Sequence, residues 1–247
     1  SEKNLVTIPV VYVFDKNYAA YSCVSTISAL QHATEDIVFH AITDHTDDQA
    51  EKIFLDELDA HGQPVKTYKA NLGAEFVAGR ISSSAYLKLS IPNLVEEKKI
   101  LYVDGDTIFK NCPSLPFGID LEDNVLGGVC DYSHFPKHRK KWESKIIPFE
   151  NANEMYINTG LLLWNLKAPE NINLIEKCKE IGESYPDKLR FNDQDLLNKV
   201  FEGKKKIINY QFNHQVWNGI ISKSDWGRIS APTYKNVNLF HFIGKYK

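Results

Sequence analysis

The sequence has no pair of cysteines at the short spacing that builds a zinc site or a redox disulfide. Its four, Cys23, Cys112, Cys130 and Cys178, stand far apart, so reduced and mostly buried thiols of a cytosolic protein are expected. No apolar run approaches the roughly 18 residues of a membrane span, and no signal-peptide pattern precedes Leu5. The expectation is a soluble, cytoplasmic chain. There is no excess of basic charge, the formal net charge being −3, hence no global field favouring nucleic acid. Repeats and low-complexity segments are missing from the 247 residues, which read as one domain over 1–247. Asp15 to Ala20, directly after the first predicted strand, contains no glycine for a phosphate loop.

What is present is 43% hydrophobic content and 12% aromatics, enough for a sizeable core and for rings that line that core or a ligand. Apolar runs alternate with helical patterns: a strand at 8–14, a helix at 19–33, a strand at 37–42, a helix at 47–61 ended by Gly62, and a strand at 65–68. In the first helix Tyr21, Val24, Ile27, Ser28 and Leu30 lie on or beside one stripe. His40, inside an apolar run, reads as a satisfied core histidine. A helical pattern over 82–95, with Pro92 as kink or restart, leads into the central strand. Residues 111–116 read as loop, 125–130 as a strand, 169–185 as one helix, 191–197 as the start of another, and 204–206 as a solvated turn. The fold class is α/β, with a largely parallel sheet that binds ligands outside the carboxyl ends of its strands.

The chain is organised around 98–109, an apolar run that delivers Asp104-Gly105-Asp106 at its end. Side chains two apart in an extended chain share a face, so the aspartates can point the same way. Gly105 lets a ligand approach the backbone. Two hard carboxylates at a strand end suit Mg²⁺ or Mn²⁺, with phosphate oxygens completing the shell. Alone, the pair reads more readily as two solvated turn aspartates than as a metal site, and support must come from elsewhere in the chain. Asp15 and Asn17 either enter the same pocket or cap the turn there. Lys88 is a phosphate partner or a solvated face, and Asp131 is a further carboxylate at a strand end. Between 155 and 166 two apolar stretches flank Asn158-Thr159-Gly160, polar groups that need partners, of which a ligand can be one. Asp193-Gln194-Asp195 exceeds what helix capping requires. Near the end, His241, Gly244 and a lysine follow an apolar strand, offering a metal ligand, a close backbone approach and a phosphate cation. The basic cluster 137–141 is a solvated face or a contact to an acceptor or anionic surface.

Together these segments resemble glycosyltransferase family 8, the retaining, metal-dependent enzymes that include lipooligosaccharide galactosyltransferases, lipopolysaccharide glycosyltransferases and glycogenin. The motifs run in the family's order: Asp15-x-Asn17-Tyr18, Leu101-Tyr102-x-Asp104-x-Asp106, Tyr156-x-Asn158-x-Gly160, Asn192-Asp193-Gln194-Asp195, and His241-Phe242-x-Gly244-x-x-Lys247. The resemblance implies a GT-A fold, a UDP-galactose or UDP-glucose donor, a saccharide or glycolipid acceptor, and bound Mn²⁺, with Mg²⁺ as the substitute. It implies Asp104, Asp106 and His241 as metal ligands and Asp15 and Asn17 as uridine contacts. Asp131, Asn158 and Asp193 would face the donor sugar's hydroxyls, with Thr159 and Gly160 beside them, and Gly244 and Lys247 would clamp the diphosphate. Gln194 would stand on the reacting face of the anomeric carbon. The family usually has Arg where Lys88 stands, which exchanges a planar fork for a point charge.

Other readings share parts of this pattern. A haloacid-dehalogenase phosphatase carries Asp-x-Asp after a strand, but near the first strand and with a different threonine spacing from Thr107. A sugar nucleotidyltransferase wants the glycine-rich loop that is missing here. A non-catalytic sugar-nucleotide binder would keep the same residues. The expected location is cytoplasmic, with peripheral contact to the inner membrane face through the 137–141 cluster or a tail past Lys247.

Overall fold

The computed structural model describes residues 7–72, 83–134, 143–217 and 236–243. Ten strands form two sheets. The larger contains β1 (Ile8–Val13), β2 (Ile37–Asp44), β3 (Val65–Ala70), β4 (Lys99–Val103), β6 (Leu126–Cys130), β7 (Ile157–Asn165) and β8 (Lys205–Ile207), in the order β3-β2-β1-β4-β7-β6-β8. Strands β3, β2, β1 and β4 are mutually parallel, whereas β7 runs antiparallel to both β4 and β6. The smaller sheet is β5 (Thr107–Phe109), β10 (Leu239–Ile243) and β9 (His214–Trp217), in that order. This is the expected α/β architecture with a mixed, mostly parallel central sheet.

Period-two alternation splits the core between the two faces of the large sheet. Val10 and Tyr12 pack with Phe39, Phe54 and Leu101 on one face, while Val11 packs with Ile42, Tyr102 and Leu162 on the other. The first face is covered by α1 (Ala19–His32) and α2 (Asp48–Ala60). The second is covered by a 3-10 helix, Ser83–Ser90, with α5 (Leu174–Ser184) and α6 (Asp193–Val200). Two single-turn helices, α3 (Ile91–Leu94) and α4 (Ser114–Phe117), fill the connections. Among the described residues no helix is long and apolar enough to cross a membrane.

The first helix buries only part of its predicted stripe, with Ser28 enclosed and Leu30 packed against the core. Tyr21 and Val24 are 46% and 54% exposed, while Ser22, Ser25, Thr26 and Ser28 are buried against the sheet. The buried face works because its hydroxyls find partners: Ser25 Oγ lies 2.8 Å from Tyr12 Oη and 2.7 Å from Thr107 Oγ1. Ser28 Oγ accepts the Phe109 amide at 2.9 Å. Small side chains allow close approach, and the hydrogen bonds offset the cost of burying polar groups.

Other departures are local. The predicted helix over 169–185 is broken because the Asn171 side chain accepts from Trp164 Nε1 at 2.9 Å and Asn173 is left-handed at φ 55°, so α5 starts only at Leu174. The 111–116 loop contains the start of α4, to which Pro113 brings a φ of −59°. The 204–206 turn is instead the start of β8, where Lys205 is buried and pairs with Glu154 at 2.9 Å. His40 is a core residue, with Nδ1 3.0 Å from Tyr68 Oη and Nε2 3.1 Å from Glu97. All four cysteines are free, and Cys112 and Cys130 are only partly buried.

Ser25→Ala strips a partner from Tyr12 inside the core and is expected to lower stability by about 1–3 kcal/mol in urea unfolding. A loss below about 0.5 kcal/mol, the range of an inert surface substitution, contradicts this account of α1.

Candidate active site

Register brings the predicted residues to one edge. Val11 pairs with Tyr102, so β1 and β4 end side by side and release Asp15 and Asp104 at the same carboxyl edge of the sheet. From the smaller sheet, His241 pairs with Thr107 across β10 and β5. Its Nε2 lies 3.3 Å from Asp106 Oδ1 and 3.6 Å from Asp104 Oδ2. One ligand atom from each of Asp104, Asp106 and His241 fits within a 4.8 Å spread, a cluster able to hold a metal ion. Asp106 and His241 are buried, and Asp104 is the partly open member.

Two glycines make this possible, for reasons that differ from the expectation. A Cβ on Gly160 would stand 2.1 Å from His241 Cε1, so Gly160 is the gap into which the imidazole fits. A Cβ on Gly105 would meet Ser22 Oγ at 2.4 Å, so at this position the close approach is that of α1.

Lys88 is not on a solvated face. It is buried, with Nζ 2.8 Å from Asp193 Oδ2 and 3.4 Å from Asp104 Oδ1. It also donates to the Thr159 carbonyl at 3.3 Å and to Thr159 Oγ1 at 3.2 Å, and sits 4.5 Å over the Tyr102 ring. Burial alone would push its pKa down, but Asp104 and Asp193 more than offset this and the ammonium is held above its ordinary value. Asp104 and Asp193 share this one cation while Asp106 faces His241, so the carboxylates outnumber the lysine and a bound cation can neutralise the remainder.

The Asn-Thr-Gly segment does not interrupt the strand as predicted. It lies within the nine residues of β7, and protein groups satisfy it. Asn158 Oδ1 accepts from the Gly160 amide at 2.9 Å and from Asn213 Nδ2 at 2.8 Å, and its Nδ2 donates to Asp131 Oδ2 at 2.9 Å. Gln194 Oε1 accepts the Thr159 amide at 3.0 Å, while its Nε2 donates to Asp131 Oδ2 at 3.1 Å and Tyr156 Oη at 3.3 Å. Asp131 Oδ1 accepts from the Ser133 amide and hydroxyl. Its roughly four lone-pair positions are then all in use, and a sugar hydroxyl reaches it only by displacing one of these donors.

Asp15 and Asn17 are placed at the same edge. Asp15 Oδ1 accepts the Asn17 and Tyr18 amides at 2.9 and 3.2 Å, the turn-capping alternative, and Asn17 is exposed. Gly244, Lys247 and the 137–141 cluster lie outside the described residues. Sequence reasoning gave no role to Asn213, nor to the tyrosines of its own motifs. Tyr102 Oη donates to Asp104 Oδ1 at 2.5 Å, and Tyr156 Oη to Asp195 Oδ1 at 2.7 Å. The signal for the tyrosines was their place within the family's motifs; for Asn213 there was none.

Desolvation raises the Asp195 carboxyl from 3.8 to about 7, against the pull of the Phe191 amide and Tyr156 hydroxyl. The folded chain therefore holds this proton more tightly than the unfolded one. Asp195 contributes stability that is fully present below about pH 4 and is lost as pH rises to about 7, by up to about 4 kcal/mol. Urea unfolding at a series of pH values should show a fall across that window that is flattened in Asp195→Asn; parallel profiles contradict the assignment.

The model of glycosyl transferase family 8 matches residues 9–247. Among curated proteins, the chain is 31% identical over 177 residues to glycosyltransferase GlyA of Streptococcus pneumoniae, covering 64% of this chain and 23% of that protein. It is 23% identical over 221 residues to lipopolysaccharide 1,2-glucosyltransferase of Escherichia coli, covering 84% and 62%. The chain thus spans less than two thirds of either relative. Among solved structures, galactosyltransferase LgtC in complex with donor and acceptor sugar analogs superposes with a TM-score of 0.80 at 26% identity, covering 97% of this chain and 88% of LgtC. With a match that runs from the first strand to Lys247, the chain belongs to glycosyl transferase family 8.

Proposed function

We propose that this chain is a retaining hexosyltransferase that moves galactose or glucose from a UDP-sugar to a saccharide or glycolipid acceptor, with Mn²⁺ or Mg²⁺ as cofactor. The observation that carries the reading is the convergence of Asp104, Asp106 and His241 beside the Asp193-Gln194 turn of α6 at one edge of the sheet. Two carboxylates and an imidazole are a fitting donor set for such an ion. Once bound, it supplies Lewis-acid stabilisation of the charge on the departing diphosphate.

The protein's own groups do the rest. Breaking the anomeric C–O bond leaves positive character on the sugar, which Asp193 faces with its carboxylate held in place by Lys88. Gln194 is neutral and both ends of its amide are held, so it makes a poor nucleophile and a good positioning group. We therefore favour attack by the acceptor hydroxyl on the face that the diphosphate leaves, its proton passing to a diphosphate oxygen. GlyA and the Escherichia coli glucosyltransferase support the transferase class, and LgtC supports a hexose donor.

With UDP-galactose or UDP-glucose, Mn²⁺ and a saccharide acceptor, the product is expected to keep the donor's anomeric configuration by NMR. Gln194→Ala should lower kcat by about 10²-fold and leave the donor KM nearly unchanged. An inverted product, a trapped glycosyl-enzyme adduct, or no turnover with either donor contradicts the proposal.

A further inference from the structure

Asn213 is fully buried at the end of a 3-10 turn, Tyr210–Phe212, directly before β9. Its side chain touches two residues of the site, with Oδ1 3.1 Å from His241 Nδ1 and Nδ2 2.8 Å from Asn158 Oδ1. The direction of these contacts is fixed by a backbone group. The Gly160 N–H can only donate, and it donates to Asn158 Oδ1, so the Asn158 atom at that position is an acceptor. What Asn213 points at it must be its NH₂, which turns its carbonyl oxygen toward His241. That oxygen can only accept, so Nδ1 of His241 carries the ring proton. In the neutral ring the lone pair then falls on Nε2, the nitrogen that faces Asp104 and Asp106.

We infer that Asn213 is a positioning residue that holds His241 in its Nδ1–H tautomer, with Nε2 free to ligate a cation. The inference rests on the proposed function for the identity of the ion and on the hydrogen-bond chain alone for the tautomer. Nδ1–H is the less populated tautomer of a free imidazole, so the protein must enforce it. The polarity begins at the amide of Gly160, the residue whose missing side chain also admits the His241 ring. The same chain continues through Asn158 to Asp131, which holds Gln194. One buried amide therefore links the orientation of the metal-ligand histidine to that of the group beside the reacting carbon.

The test is a long-range ¹H–¹⁵N correlation spectrum of the imidazoles in the metal-free protein at pH 8, paired with Mn²⁺ titration by electron paramagnetic resonance. The native chain should show His241 protonated on Nδ1. Asn213→Ala should lose that signature and weaken Mn²⁺ binding about 10–100-fold, the usual effect of removing a hydrogen-bond partner of a metal ligand. Asn213→Asp keeps the acceptor toward His241 and gives up the donor to Asn158 Oδ1, so it should recover the Nδ1–H signature with a lower thermal stability than the native chain. A native His241 protonated on Nε2, or an Asn213→Ala that keeps the native tautomer and affinity, overturns the inference. The native spectrum decides even where Asn213→Ala does not fold. Should the native chain show the Nδ1–H tautomer but bind no Mn²⁺, the proposed function fails and the role of Asn213 stands.

Discussion

A buried strand that carries polar residues in its middle must provide a partner for each of them, and this constraint organises the site. Strand β7 crosses the centre of the sheet with Asn158 and Thr159 almost fully enclosed. Asp131, Gln194 and Lys88, which satisfy them directly, are candidate site residues, and Asn213, which also donates to Asn158, reaches on to His241. An unpaired polar group here would cost about 1–3 kcal/mol. The same hydrogen bonds that let the strand be buried therefore hold the functional side chains in place before any ligand arrives, which is the condition for electrostatic preorganisation.

Charge is arranged on the same principle. Lys88 bridges the end of β4 and the first turn of α6 through Asp104 and Asp193. Removing it would leave two carboxylates facing each other beside Asp106. The cluster is buried at Asp106 and His241 and opens toward solvent at Asp104. An ion held there would have an open side for oxygens from a substrate. Lysine in place of a planar guanidinium suits this arrangement, since a point charge reaches Asp104, Asp193 and Thr159 at once.

Much of this was legible in the sequence because motif residues read chemically as well as structurally. Asp104 and Asp106 converge as their spacing allows, although through the turn at 105–106 that joins β4 to β5 and not along an extended strand, and the apolar runs at 8–14 and 99–103 require a doubly covered sheet. The family resemblance then joined His241 to that pair across more than 130 positions. What the sequence hid were relations that depend on packing. The apolar stripe of α1 reads as a core face, yet hydroxyl pairs to Tyr12 and Thr107 bring Ser25 against the sheet and leave Tyr21 and Val24 exposed. Gly105 reads as a gap for a ligand and Gly160 as a neighbour of the sugar-facing residues, whereas Ser22 and His241 occupy the space beside them. Lys205 reads as part of a solvated run because its partner, Glu154, is remote in sequence. Asn213 carries no local pattern at all, and its role exists only where three segments meet.

The central claim is that Asp104, Asp106 and His241 form a cation site that completes itself with a nucleotide diphosphate. Thermal unfolding with UDP alone, Mn²⁺ alone and both together, on the native chain and on the double substitution Asp104→Asn/Asp106→Asn, tests it most directly. At saturation near 100 times the dissociation constant, binding adds about 2.7 kcal/mol, a rise of about 5–10 °C for a chain of this size. The account predicts that rise for the pair in the native chain, more than the two single ligands give together, and none in the double substitution. A native chain that UDP and Mn²⁺ together leave unshifted, or a double substitution that shifts as much, would contradict it.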